Sequence, residues 1–326
     1  MRKKGIYLMA SALLSLTACT DDFEDPQPVP VRLETVLDEG PAQTRNQTTY
    51  QATELASGQP VGVYIYYTGN TSTTDSYAYK NIGYTVSGNT GNLGSPTSQP
   101  YYPPNANQVV DIYAFAPRTV WASVTDELNA LTATTLFSVS TSQGDSNGTG
   151  YKASDFVWGM VTSKAATDKN TIKEVPLKHK MAKIIVNLTE GNGMSGRLAG
   201  ATVKVLNTIT AAKINLTSGA VTTNGSTKND ITIGSSLSVS NGKATCNGVI
   251  VPQTVAKGTA FITITLPSYG NTVYTYKLPA AADMAFASEN SYTYDVTVNA
   301  TDITLTTTIS NWTAKTGDDA GKASYQ

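Results

Sequence analysis

Gln59-Pro60-Val61-Gly62-Val63-Tyr64-Ile65-Tyr66-Tyr67 decides the fold class. Val61, Val63 and Ile65 fall two apart, so an extended chain puts all three on one face, and Val and Tyr suit a pleated, half-buried surface. Val109 to Pro117 reads as a second strand of this kind, closed by proline. Between them, a Gly-, Asn- and Ser-rich stretch carries Tyr77, Tyr79, Ile82, Tyr84 and Val86 at strand spacing, which predicts short hairpins and loops. Residues 154–160 form a further apolar strand or turn, and 175–188 one long strand. Beyond it, strands are expected at 201–206, 211–216, 231–239, 248–252, 261–266, 273–278, 291–298 and 303–309. The single plausible helix is 123–131. Many short strands with Gly and Pro turns describe an all-β sandwich or barrel, and 326 residues suggest about two domains. The polar stretch 163–173 places the boundary near Lys173.

Composition fits an extracytoplasmic β-protein. Only 14% of residues are charged, which leaves little material for long amphipathic helices. A net charge of -1 gives no electrostatic case for nucleic acid. The N-terminus is an export signal: Arg2, Lys3 and Lys4 precede an apolar run over 6–16, which is too short for the ~20 residues that span a bilayer. Leu16-Thr17-Ala18-Cys19 closes the run and resembles a bacterial lipobox, in which Cys19 is acylated and becomes the mature N-terminus. The acidic run Asp21-Asp22-Phe23-Glu24-Asp25 is either a surface-export signal or a solvated linker. With Cys19 assigned to lipid, Cys246 has no partner for an intramolecular disulfide and reads as a structural thiol.

Between Cys19 and Arg45 lies one isolated strand pattern. Val29, Val31, Leu33, Thr35 and Leu37 alternate with Pro30, Arg32, Glu34 and Val36. The following stretch, 40–49, has no apolar face and carries one basic residue, Arg45. It reads as an exposed loop, either open to a trypsin-like protease or an inert linker.

Catalysis finds no constellation. His179, the single histidine, stands between Lys178 and Lys180 in a strand with no nucleophile nearby, and one histidine defeats a His-rich zinc site. Asp145 and Asn147 supply two of the six or more oxygens that calcium needs. Gly88, Gly91 and Gly94 do not match a dinucleotide fingerprint. Trp121, Trp158 and Trp312 read as core anchors ahead of a sugar platform. The expectation is a protein that is not an enzyme and takes no cofactor or metal.

Several strings, in order, resemble one family: Gly62-Val63-Tyr64; Tyr101-Tyr102-Pro103 ahead of Val110-Asp111-Ile112-Tyr113-Ala114-Phe115-Ala116-Pro117; Ser154-Asp155-Phe156; Pro176-Leu177-Lys178-His179-Lys180-Met181-Ala182-Lys183; Val251-Pro252-Gln253-Thr254; and Tyr292-Thr293-Tyr294-Asp295-Val296-Thr297-Val298 with the late Ile309-Ser310-Asn311-Trp312. Behind a lipobox, this succession is similar to the fimbrillins, the subunits of type V pili. The resemblance implies two transthyretin-like Greek-key β-sandwich domains, export as a lipoprotein to the outer membrane and cell surface, and polymerisation with other pilin subunits into a fimbrium. It also implies an arginine-specific protease that removes the lipidated N-terminal segment with the first strand.

On these residues the segments become a signal peptide at 1–19, a propeptide at 20–45, an N-terminal domain at 46–173 and a C-terminal domain at 174–326. Cleavage between Arg45 and Asn46 removes the strand carrying Val29, Val31, Leu33 and Leu37 whole, whereas cleavage after Arg32 splits it. The lost strand would leave a groove and an unpaired edge for β-strand addition. Ile303, Leu305, Thr307 and Ile309 alternate near the C-terminus and offer a donor strand, or are an ordinary core strand. A second functional class stays open: a monomeric surface lipoprotein that keeps its anchor and binds glycan.

Overall fold

The computed structural model describes residues 28–37, 55–68, 77–88, 91–118, 134–144, 148–311 and 322–325. The signal segment with Cys19, the Arg45–Asn46 bond, the expected helix at 123–131, Asp145, Asn147, Trp121 and Trp312 lie outside the described residues.

The first part of the chain contains β1 (Leu33–Leu37), β2 (Pro60–Tyr67), β3 (Tyr77–Thr85), β4 (Val110–Ala116), β5 (Thr134–Ser138), helix α1 (Thr149–Ser154), β6 (Val157–Ser163), helix α2 (Ala165–Asp168) and β7 (Lys173–His179). Six of these strands form one sheet in the order β1-β7-β6-β4-β2-β3. Alternation sorts its two faces. Val61, Val63 and Ile65 of β2 join Val110, Ile112 and Ala114 of β4 in one core. Tyr64, Tyr113 and Phe115, on the intervening positions, enter a second core shared with the rest of the protein. Both faces are therefore buried. Leu55, Val86 and Tyr102, from segments outside the sheet, complete the first core.

The remaining strands are β8 (Ala182–Glu190), β9 (Thr202–Ile209), β10 (Ala211–Asn215), β11 (Ala220–Thr223), β12 (Lys228–Gly234), β13 (Lys243–Ile250), β14 (Gln253–Val255), β15 (Ala260–Leu266), β16 (Thr272–Lys277), β17 (Met284–Phe286), β18 (Asn290–Val298), β19 (Ile303–Asn311) and β20 (Lys322–Tyr325). They build a four-stranded sheet, β12-β9-β15-β16, and a five-stranded sheet, β13-β8-β18-β19-β20. Ile184, Val186, Tyr292, Tyr294 and Val296 of the five-stranded sheet share a core with Val203, Val205, Phe261 and Ile264 of the four-stranded one. Phe261 stacks on Phe286 with ring centroids 4.7 Å apart.

The all-β class expected from the periodicity is the observed one, but the short helices α1 and α2 lie where the sequence reading placed none, and two expected strands are placed differently. The continuous strand expected at 175–188 is two strands: β7 belongs to the six-stranded sheet and β8 to the five-stranded one. The chain crosses between them at Lys180 and Met181, beyond Lys173, without a Gly or Pro to mark the crossing. Backbone and side chain fix it there. Lys180 N–H donates to the Phe156 carbonyl, and the Lys180 ammonium pairs with Glu289 and lies over the Trp158 ring. The strand expected at 231–239 ends at Gly234. In addition, β5 pairs antiparallel with β10, so a three-stranded sheet, β11-β10-β5, draws on both halves. Gln143 extends this join: its amide donates to the Val249 carbonyl at 2.7 Å and accepts from the Val249 N–H at 2.8 Å, capping the edge strand β13.

Candidate functional site: the slot held by the first strand

β1 lies in a slot with partners on both sides. On one side it runs parallel to β7, in register from Leu33↔Lys173 to Leu37↔Leu177. The Lys173 N–H donates to the Arg32 carbonyl at 2.8 Å. On the other side it meets the 91–102 segment: Val31 N–H donates to the Pro100 carbonyl, Thr35 N–H to the Gly91 carbonyl, and Tyr102 N–H to the Val29 carbonyl. Isolated bridges at Pro30↔Tyr101 and Glu34↔Asn92 belong to the same contact. Strand β7 pairs with β6 only through His179 and Lys178, so residues Lys173 to Leu177 have β1 as their ladder partner.

Side chains hold the strand as firmly as the backbone does. Val31, Leu33, Thr35 and Leu37 point inward and are 1%, 6%, 2% and 4% exposed. Val29 is half-buried against the same core. Fully burying a Val or Leu is worth about 1.5–3 kcal/mol each, so three such residues outweigh any single hydrogen bond in the slot. One inward position is polar. The Thr35 hydroxyl donates to the Gly91 carbonyl at 3.0 Å, which satisfies a group that is costly to bury alone. Gly91 has a positive φ of 70°, and a Cβ there would collide with the Thr35 carbonyl oxygen, so only glycine lets the two backbones approach this closely.

A polar network anchors the start of β7. Tyr102 Oη and Ser163 Oγ lie 2.6 Å apart, Ser163 Oγ donates to Asp168 Oδ2 at 2.8 Å, and Lys173 Nζ approaches the same oxygen at 3.3 Å. Burial works to raise the Asp168 carboxyl, but hydrogen bonds from Ser163, the Lys164 N–H and Lys173 prevail and hold it below its ordinary value.

The other residues singled out in the sequence take structural places. His179 is buried, and its Nδ1 is 2.8 Å from Asp155 Oδ1, at the junction between the first sheet and α1. Trp158 is half-buried and donates its indole N–H to the Leu216 carbonyl at 2.6 Å. Cys246 is a buried thiol that forms no disulfide among the described residues. Ile303, Leu305 and Ile309 lie on β19, which is antiparallel to β18 from Asn290↔Asn311 to Val298↔Ile303 and also pairs with β20. Among the described residues no group of three or more His, Cys, Asp or Glu is placed to hold a metal ion, and no helix is long and apolar enough to cross a membrane. Sequence reasoning missed Gly91 and the 91–102 segment as slot walls. The signal was a glycine within a short polar run, which reads equally as any loop.

The fold has known counterparts. Crystal structures described as cell-adhesion proteins from Bacteroides uniformis and Bacteroides ovatus superpose with TM-scores of 0.61 and 0.63, at 22% and 16% identity. They cover 87% and 88% of this chain and 98% of each of those chains. A Bacteroides uniformis protein named as a fimbrium subunit, Fim1C, is 26% identical over 324 residues, 97% of both chains. A family model described as fimbrillin-like matches residues 44–312. The chain therefore belongs to the fimbrillin-like family.

Proposed function

We propose that the protein is a structural subunit of a cell-surface fimbria, not an enzyme, and that the β1 slot is its assembly site. Its similarity to a protein named as a fimbrium subunit and to structures described as cell-adhesion proteins supports fibre membership and a contribution to adhesion. The observation that carries the assembly step is β1 itself, a short N-terminal strand buried in a two-sided slot. It lies outside the family match, which begins at residue 44, next to Arg45.

In this reading the precursor is exported with lipid on Cys19 and held at the outer membrane. An arginine-specific protease then cuts between Arg45 and Asn46. Loss of the Val29–Leu37 segment uncovers β7 from Lys173 to Leu177 together with the apolar floor beneath, and an extended segment of another pilin subunit fills both by β-strand addition. Until cleavage, β1 protects that edge, which otherwise invites unregulated association.

The test uses Arg45→Ala. Purified precursor of each version is treated with trypsin under native conditions and followed by ladders on unboiled gels and by electron microscopy. The parent should form ladders and fibres, and Arg45→Ala should stay monomeric and folded, because single changes on exposed polar loops shift stability by about 0.5 kcal/mol or less. Equal ladders from uncleaved Arg45→Ala protein would dismiss strand removal as the trigger. They would favour the anchored, glycan-binding lipoprotein.

A further inference from the structure

Resting on the reading of the slot as an assembly site, we propose that the slot selects its incoming strand by a hydroxyl at the Thr35 position, read by the Gly91 carbonyl, and that Thr307 of a second copy supplies it.

The inward face of β1 reads Val31, Leu33, Thr35, Leu37. The inward face of β19 reads Ile303, Leu305, Thr307, Ile309. Both run apolar, apolar, threonine, apolar at period two, so one superposition places every side chain on its counterpart: Ile303 on Val31, Leu305 on Leu33, Thr307 on Thr35 and Ile309 on Leu37. A shift of two residues would put Leu305 or Ile309 against the Gly91 carbonyl and carry the hydroxyl into an apolar site. Such a shift leaves polar groups unpaired at both places, which is the costly outcome in a buried interface. Thr307 thereby fixes register where alternation alone would allow slippage. No proline falls within 303–309, so Ile303 N–H and Thr307 N–H can replace those of Val31 and Thr35 in their bonds to the Pro100 and Gly91 carbonyls.

The resident position of Thr307 supports this independently. Its side chain is buried at 6% exposure on the core side of β19, and its Oγ1 meets no hydrogen-bond partner among the described residues. Ile303 and Ile309 are half-buried at home, whereas Val31 and Leu37 are almost fully buried in the slot. Transfer of the strand would bury both isoleucines more deeply and give the Thr307 hydroxyl an acceptor, against the loss of its ladders with β18 and β20 and of Leu305 from its own core.

Cross-linking across copies tests both the occupant and the register. Glu34 sits opposite Glu174 in the slot, and the superposition puts Thr306 where Glu34 was. Protein carrying Glu174→Cys is mixed with protein carrying Thr304→Cys, Thr306→Cys or Thr308→Cys, cut with trypsin under native conditions and oxidised. Cleavage after Arg45 removes Cys19, and Cys246 is buried, so the introduced thiols are the accessible pair. Thr306→Cys should give the disulfide-linked pair, and the other two should not. Thr307→Val should leave the melting temperature of the subunit unchanged or higher, yet lower the yield of that pair by about five-fold; Thr307→Ser should restore it. Full yield from Thr307→Val, or linking through residue 304 or 308, would overturn the register assignment. Ladders that form without linking at any of the three would mean another segment enters the slot, with the assembly reading intact. Cleaved parent protein that forms no ladders at all would sink both.

Discussion

Removal of β1 requires that it can leave while the rest of the fold stays closed, and Leu33→Ala measures this. Leu33 is 6% exposed in the core beneath β2, β4 and β7. Truncating a buried leucine to alanine costs about 2–5 kcal/mol. At the end of the slot next to exposed Arg32, where the site can partly collapse, about 2–3 kcal/mol is expected. If β1 opens on its own, that cost falls on the opening equilibrium of the slot alone. The amides that close it are the N–H groups of Val31, Thr35, Tyr102 and Lys173. Their hydrogen exchange in the intact precursor should speed up by about 30- to 150-fold, each 1.4 kcal/mol being a factor of ten. Amides of β8 and β18, paired in the other core, should exchange at the parental rate. Equal acceleration across β8, β18 and the slot would show that β1 opens only with global unfolding, which strand removal could not exploit. Unchanged exchange in the slot would show that Leu33 contributes nothing to docking.

Three further outcomes follow from the same residues. Cys19→Ala should abolish labelling by palmitate and surface delivery, because in the proposed route the acyl chain on Cys19 is what holds the precursor at the membrane; equal label in the mutant and the parent would remove the lipoprotein assignment. Gly91→Ala, with a Cβ forced against the Thr35 carbonyl at a φ of 70°, should destabilise the docked β1 by more than 1 kcal/mol as about the lower bound and leave Arg45 cleavable, read as faster exchange at Thr35. Asp168, held below its ordinary carboxylate value of 3.8, contributes stability that is complete above that value and is lost as pH falls through the lower folded value. The melting temperature should therefore fall more steeply below about pH 4 in the parent than in Asp168→Asn, and parallel curves would count against the network at the start of β7.

Much of the fold is written in local periodicity, and the rest depends on contacts that no local pattern encodes. The inward residues of β1 follow directly from alternation, because one buried face requires it, whereas β2 and β4 are buried on both faces and read as near-continuous apolar runs. Strand β5 has Leu136 and Phe137 adjacent and no alternation; its identity comes from pairing with β10 far along the chain. The crossing from β7 to β8 has no Gly or Pro, and its one local mark is a slip of the buried positions from Val175, Leu177 and His179 to Ala182, Ile184, Val186 and Leu188. The slot is half legible. Its occupant, its flanking Arg45 and the alternation in 303–309 can be found in the sequence, while the carbonyl that reads Thr35 belongs to Gly91, 56 residues away. The buried pair His179–Asp155 shows the same limit: the histidine is conspicuous and its partner, 24 residues earlier, is known only once the sheet is built.

The most direct measurement is the N-terminus of the protein in its final surface form. Fibres sheared from the cell surface and analysed by mass spectrometry should yield a chain that begins at Asn46, with the Val29–Leu37 strand absent and Cys19 gone with it. A sheared or membrane-extracted final form that still begins at lipid-modified Cys19 and retains β1 would contradict strand removal and make the protein an anchored lipoprotein instead.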